Sequence, residues 1–275
     1  MREGHGEKRL GISAQAEALL CALADARAAR PELAPLLDFY AALWRWQFAA
    51  REALTSEVAV PDEAASRLAA GRPLLDFAPL PIEPVAFARL AQGIAALAHE
   101  HNPTWGELPD EPTAATWLDL ARDVFQRGTT PAEAATAADL PALASGLALA
   151  PYLEHAAAFL RPHLDDALWQ RPYCPVCGGR PDLALLHRQS GARYLVCARC
   201  QSQWLYRRVG CPFCGQEEVL YYPSPDEVYR LYVCDTCHRY LKTVDLRQTG
   251  RKVEPRLERL LTVGLDMAAQ GQGYH

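Results

Sequence analysis

The chain has 275 residues, half of them hydrophobic, with a formal net charge of −5. That length is enough for two or three small domains. Residues 1–9 are polar with no apolar signal core, and no run of about 18 apolar residues occurs, so neither a secretory leader nor a membrane span is expected and the cytoplasm is the default compartment.

Residues 1–170 read as helical throughout. Ser13 suits the N-cap of a helix running to about Arg30, where Pro31 interrupts it. Pro35 fits the first turn of a second helix, whose Leu36, Phe39, Tyr40, Leu43, Trp44 and Phe48 form an i, i+3, i+4 stripe. Pro61, Pro73, Pro79, Pro81 and Pro84 mark residues 57–84 as a long surface connection with one short helix at 62–70. Helices follow at about 84–100, 112–127 and 141–169, the second opened by Thr113 or Asp110 and closed by Gly128. Packing is the expected role of this half. Trp44, Trp46, Trp105, Trp117 and Trp169 stand at helical spacing that serves a core more readily than a recognition surface, and Cys21 reads as a small buried hydrophobe.

The pattern changes after Arg171-Pro172. Short alternating runs at 183–187, 193–196, 203–208, 219–222, 228–233 and 240–246 are rich in β-branched and aromatic residues and are broken at Gly, Pro and Asp. Past Gly250, residues 253–269 resume a helical pattern with Leu257, Leu260, Leu261 and Leu265.

Threaded through these strands are four Cys-x-x-Cys pairs: Cys174/Cys177, Cys197/Cys200, Cys211/Cys214 and Cys234/Cys237. The last two repeat the first two at an offset of 37, flanks included, so each half is a C-x2-C-x19-C-x2-C unit within zinc-ribbon spacing. A two-residue spacer lets both thiolates of a pair point at one ion from a tight turn. Gly178 and Gly215 allow the positive φ such a turn can need. Gln201 and His238 stand in the corresponding places of the second pairs, which are expected to be less regular. The reading is two metal ions in four-cysteine sites, iron or zinc, since both accept tetrahedral thiolate coordination. Thiol–disulfide exchange would want a single pair in a βαβ context, and a disulfide framework an oxidising compartment. Charge is uneven, −10 over residues 1–170 and +5 over 171–275. Four thiolates leave each site at about −2 around Zn²⁺ or about −1 around Fe³⁺, which brings the C-terminal part near neutrality. A surface for phosphates is correspondingly weak.

The architecture expected is α+β and multidomain. An all-α helical bundle (1–170) precedes two tandem rubredoxin-like or zinc-ribbon β modules (171–209 and 210–250), and a C-terminal helix (251–275) packs on what precedes it. No phosphate loop, nucleophile elbow or dinucleotide fingerprint is present in the sequence, so a non-enzyme is expected. Tyrosines interleaved with Arg207, Arg208, Arg230 and Arg239 raise a nucleic-acid adaptor as the alternative, disfavoured against strand packing; a Cys-x-x-Cys thiol oxidoreductase ranks below it.

The stretch Tyr173–Pro181 (YCPVCGGRP), the run RYLVCARC ending at Cys200 with Trp204 and Arg208 beyond it, CDTCHRYLKTVD from Cys234, and LLTVGLDMAAQGQGY from Leu260 together resemble the formate dehydrogenase accessory (FdhE-type) family. The resemblance covers about 100 residues. It implies a cytoplasmic, non-catalytic assembly factor whose partner is the catalytic subunit of a formate dehydrogenase. It also implies two rubredoxin-like modules holding metal through the eight repeat cysteines, with iron binding associated with such proteins. Tyr240, Leu241 and Lys242, in a matched motif beside a knuckle, are candidate partner-binding residues.

Overall fold

The computed structural model describes residues 13–275 apart from 107, 109–111, 129, 132 and 134–138. Asp110, the alternative cap for the fifth helix, lies outside the described residues.

The first half is a helical bundle of α1 (Ala14–Ala29), α2 (Ala34–Glu52), short α3 (Ala64–Ala69), α4 (Pro84–His101), α5 (Ala114–Arg127) and α6 (Leu140–Leu160). Local chemistry sets the ends. Ser13 Oγ accepts from Ala16 N, and Thr113 Oγ1 from Thr116 N. Gly128 closes α5 in the left-handed conformation at φ 64°. Helix α6 ends at Leu160, earlier than residue 169, because Pro162 has no N–H to continue the ladder, and a 3-10 turn (Arg161–His163) follows. Helices α2, α4, α5 and α6 pack on one another around Leu43, Trp44, Phe87, Ile94 and Trp117. Trp169 joins Trp44 and Trp117 in the core, whereas Trp46 stays exposed and Trp105 is half-buried. Cys21 is exposed on α1, so its thiol is not the core hydrophobe expected.

Helix α6 is apolar on nearly every side. With its trailing turn (Leu140–His163) it reaches a mean hydropathy of 1.2, enough by length and composition to cross a bilayer, but 72% of that window is buried inside the protein. A helix apolar all round is what the centre of a bundle requires. Pro151 lies inside it and cannot donate to the carbonyl of Leu147 four residues back. Buried Gln47 of α2 supplies the missing donor, with Nε2 at 2.8 Å from Leu147 O. Gln47→Leu should therefore leave that carbonyl unpaired and cost about 1–3 kcal/mol in a urea melt, while Gln47→Glu, which presents no amide donor, should not restore it.

The second half is one mixed sheet of β1 (Pro181–Leu186), β2 (Arg193–Cys197), β3 (Gln203–Tyr206), β4 (Leu220–Pro223), β5 (Tyr229–Cys234) and β6 (Arg239–Asp245). The order is β3-β2-β1-β6-β5-β4. Each cysteine repeat contributes three antiparallel strands, and the two halves fuse through parallel pairing of β1 with β6, Leu183 opposite Lys242 to Leu186 opposite Asp245. The fusion buries what would be two exposed edges. Strands β1 and β6 are accordingly buried on both faces, by the bundle on one side and by a small cluster of Leu183, Leu185, Val196 and Val244 with Val253 on the other.

The C-terminal helical run is broken in two, α7 (Pro255–Leu261) and α8 (Val263–Gly271). At the break, Thr262 Oγ1 donates back to Glu258 O at 2.6 Å, an interaction that competes with the helix ladder. Helix α7 touches α1, where Arg30 Nη1 donates to Leu261 O at 2.8 Å, and α8 lies on β5 and β6.

Candidate metal centres and the groove beside them

The eight repeat thiols gather in two groups, Cys174/Cys177/Cys197/Cys200 and Cys211/Cys214/Cys234/Cys237, with all Sγ atoms of a group within 4.8 Å of one another. Sγ–Sγ separations are 3.5 Å for Cys174–Cys200 and Cys177–Cys197, and 3.6 Å for Cys211–Cys237 and Cys214–Cys234. Four sulfurs held about 2.3 Å from a zinc ion form a tetrahedron with edges of about 3.8 Å. The two groups therefore fit a four-thiolate ion closely, and all eight cysteines are free of disulfides. The donor set suits zinc and iron alike.

Each group is built from two turns that flank a hairpin in sequence, one before its first strand and one after its second, and meet at its open end. The residue after each pair has positive φ: Gly178 at 71°, Gln201 at 59°, Gly215 at 85° and His238 at 53°. The turns that lack glycine thus take the same left-handed step, contrary to the less regular geometry expected of them. Contacts offset the strain: Gln201 Oε1 accepts from Arg259 Nη1 at 2.6 Å, and His238 N donates to Cys234 O at 2.8 Å. The turns also aim backbone N–H groups at sulfur, Arg199 N at Cys197 Sγ and Phe213 N at Cys211 Sγ, both 3.4 Å. Hydrogen bonds from the other three thiols hold the Cys177 thiol well below its ordinary range, while burial pushes Cys174 and Cys200 up. In the second group burial raises Cys211, and takes Cys237 to about 12. Burial also opposes ionisation of Cys234, but the N–H groups of Cys237 and Thr236 outweigh it and bring that thiol to about 7. Each quartet keeps protons that a bound cation would displace.

The two groups differ in enclosure. All four cysteines of the first are buried; in the second Cys214 is exposed and Cys237 half-exposed. The difference traces to the proline-rich connection between α3 and α4, which lies as a strap over the first knuckle. Leu74 N donates to Pro175 O and Leu75 N to Val176 O, both at 2.8 Å. Tyr173 Oη donates to Gly71 O at 2.7 Å, and Trp204 Nε1 to Arg171 O at 3.0 Å. Arg199 completes the seal by donating to Phe125 O at the end of α5, at 3.1 Å. Nothing comparable covers the second group among the described residues.

Between the bundle and the sheet runs a groove of about 800 Å³. Tyr240 and Lys242 line it and converge on Asp266 of α8, at 2.9 and 2.6 Å. Leu241 is buried in the core instead, as strand alternation requires. Arg259 spans the layers, bonding Asp182 at 2.7 Å and Cys197 O at 3.0 Å. Sequence reasoning passed over the strap and the arginines of α7. Arg256 and Arg259 amid Leu257, Leu260 and Leu261 were the available signal, because charges at that spacing in an apolar helix face something polar.

Comparison with known proteins agrees with these features. Residues 173–208 match the family model described as FdhE, central domain. An FdhE homolog from Aquifex aeolicus is 39% identical over 113 residues, which is 38% of this chain and 40% of that protein. FdhE from Escherichia coli is 34% identical over 110 residues, 38% of this chain and 35% of that protein. The match thus spans less than half the length of these curated relatives. The crystal structure of FdhE from Pseudomonas aeruginosa superposes with a TM-score of 0.57 at 24% identity, over 98% of this chain and 94% of that one. The resemblance read from the four Cys-x-x-Cys pairs is therefore borne out: the cysteine-bearing region is FdhE-like in sequence, and the chain is FdhE-like in fold over nearly its whole length.

Proposed function

We propose that this protein is a non-catalytic accessory factor in the maturation of a formate dehydrogenase, and that it binds the catalytic subunit of that enzyme in the cytoplasm. The observation that carries the reading is the coincidence of FdhE-like sequence around the cysteine repeat with an FdhE-like fold over 98% of the chain. The eight cysteines act as metal ligands in this account. A bound ion supplies a cross-link that ties the two knuckles of each hairpin together, and four protein thiolates fill a tetrahedral shell without an open position for substrate. The working units are residues 1–170, 171–209, 210–250 and 251–275, the two cysteine units acting together because they share a sheet. Client contact falls on the groove between bundle and sheet, where Tyr240 and Lys242 are presented and Leu241 sets their strand.

Hydrogen bonding favours this reading over a nucleic-acid adaptor. Arg230 and Arg239, which would contact phosphates, are committed to Asp245 at 2.7 Å and Glu133 at 2.8 Å. Tyr229 donates to Glu258 at 2.7 Å, and of the strand tyrosines only Tyr221 and Tyr222 of β4 are largely exposed. Deletion of the gene should abolish formate dehydrogenase activity in extracts of its host while leaving the catalytic subunit's transcript unchanged. Wild-type protein should restore activity and Cys174→Ser/Cys177→Ser should not. Unchanged activity in the deletion strain would refute the role.

A further inference from the structure

The groove carries an excess of positive charge: six Arg and Lys side chains line it against four carboxylates, in a chain whose net charge is −5. Two of those cations are buried and incompletely bonded. Arg256 is 9% exposed; its guanidinium lies over Trp44 and Phe48, 5.8 and 5.3 Å from the ring centroids, and Nη2 bonds Glu154. Its Nη1 is buried with no hydrogen-bond partner among the described residues. Arg199 is 4% exposed and donates through Nη1 to Phe125 O, while its Nη2 is likewise buried and unpartnered. Arg256 enters from the side where α2 meets α6, and Arg199 from the C-terminal end of α5 beside the first knuckle. A buried donor without an acceptor is costly, the more so on a charged group. An incoming ligand that brings acceptors to both ends recovers that cost.

We propose that the groove binds an extended acidic peptide segment bearing large apolar side chains, with carboxylates received by Arg256 and Arg199. The apolar side chains lie along Tyr40 and Trp105 between the two ends. A small anion would satisfy one arginine only. A nucleic-acid backbone would bring continuous phosphates past Glu133 and Asp182, which also line the groove, whereas a peptide can place carboxylates only where the arginines stand. This deepens the assembly-factor reading and rests on it for the source of the peptide, an acidic stretch of the client.

The test uses the metal-loaded full chain and a short fluorescent peptide alternating Glu with Leu and Phe, read by anisotropy, against the same peptide with Gln for Glu. The Glu peptide should bind at least about tenfold more tightly, which is about 1.4 kcal/mol, and Arg256→Met should remove most of that preference. Ala150→Phe fills the groove from α6 without removing a charge and should abolish binding even if Arg256→Met folds poorly. Equal affinity for the two peptides, full binding by Ala150→Phe, or displacement of the peptide by an equimolar single-stranded oligonucleotide would overturn the proposal. Capture of the catalytic subunit, measured in parallel, separates the two ideas. Capture retained by Ala150→Phe with peptide binding lost refutes the groove as the docking site and spares the assembly role. Selective peptide binding by a protein that captures no catalytic subunit supports the acidic-peptide site and refutes the role.

Discussion

A chelator stripping the metal-loaded protein should release one equivalent fast and the second slowly, the fast one from Cys211, Cys214, Cys234 and Cys237. Ligand exchange begins by attack on an accessible site, and Cys214 is exposed while Cys174, Cys177, Cys197 and Cys200 are all buried. Reaching the first group requires lifting the strap, which breaks the backbone bonds from Leu74 and Leu75 and the Tyr173–Gly71 bond. A local opening costing about 3 kcal/mol separates the two rates by roughly a hundredfold. Absorbance of a metallochromic dye follows both phases. Cys214→Ser should remove the fast phase and leave the slow one, and loss of the slow phase instead would reverse the assignment. Stability should divide the same way. Structural thiolate sites contribute on the order of 10 kcal/mol to the folding of small metal domains. The first site lies within the main core, so Cys197→Ser should unfold the sheet and loosen the bundle resting on it. The second sits at the sheet's periphery, where Cys234→Ser should disorder chiefly β4 and β5.

Glu154→Ala should be the most damaging single change outside the cysteines, at about 3–5 kcal/mol by urea denaturation. Glu154 lies in α6 at the layer boundary and accepts from Arg256 of α7 and, at 3.5 Å, from Arg51 of α2. Removing the carboxylate strands a guanidinium that burial already pushes down to about 9. Arg256→Met is milder, because Glu154 keeps Arg51, which is 38% exposed at its side chain. The pair Glu154→Leu/Arg256→Met removes both charges and should recover most of the loss, since a buried ion pair replaced by apolar side chains is often neutral. Additive losses in the double variant would show that the two residues act independently and that this link between the layers is not one interaction.

Much of this organisation was readable from local signals. The cysteine repeat grouped the eight thiols into two sets of four, the alternating runs marked the six strands, and the caps at Ser13, Thr113 and Gly128 bounded their helices, because spacing, alternation and capping depend on residues close in sequence. What escaped depends on contacts between distant residues. The parallel pairing of β1 with β6 joins strands about 60 positions apart, and side-chain alternation reports which face is buried, not which strand lies alongside. The left-handed turns at Gln201 and His238 are imposed by the need to aim a second thiol at the same point, which overrides the preference for glycine. Gln47 reads as one polar residue on an apolar helix until Pro151 of α6 is seen opposite it. The proline-rich strap looks like a surface connection in the sequence and proves to be the cover that distinguishes one cysteine group from the other.

The most direct test of the central claim is affinity capture of the tagged full chain from its own host grown anaerobically, with mass spectrometry of what co-purifies. The account predicts recovery of a formate dehydrogenase catalytic subunit with the wild type and its loss with Cys174→Ser/Cys177→Ser. Recovery of nucleic acid or unrelated machinery, or equal recovery of the subunit by the cysteine variant, would contradict it.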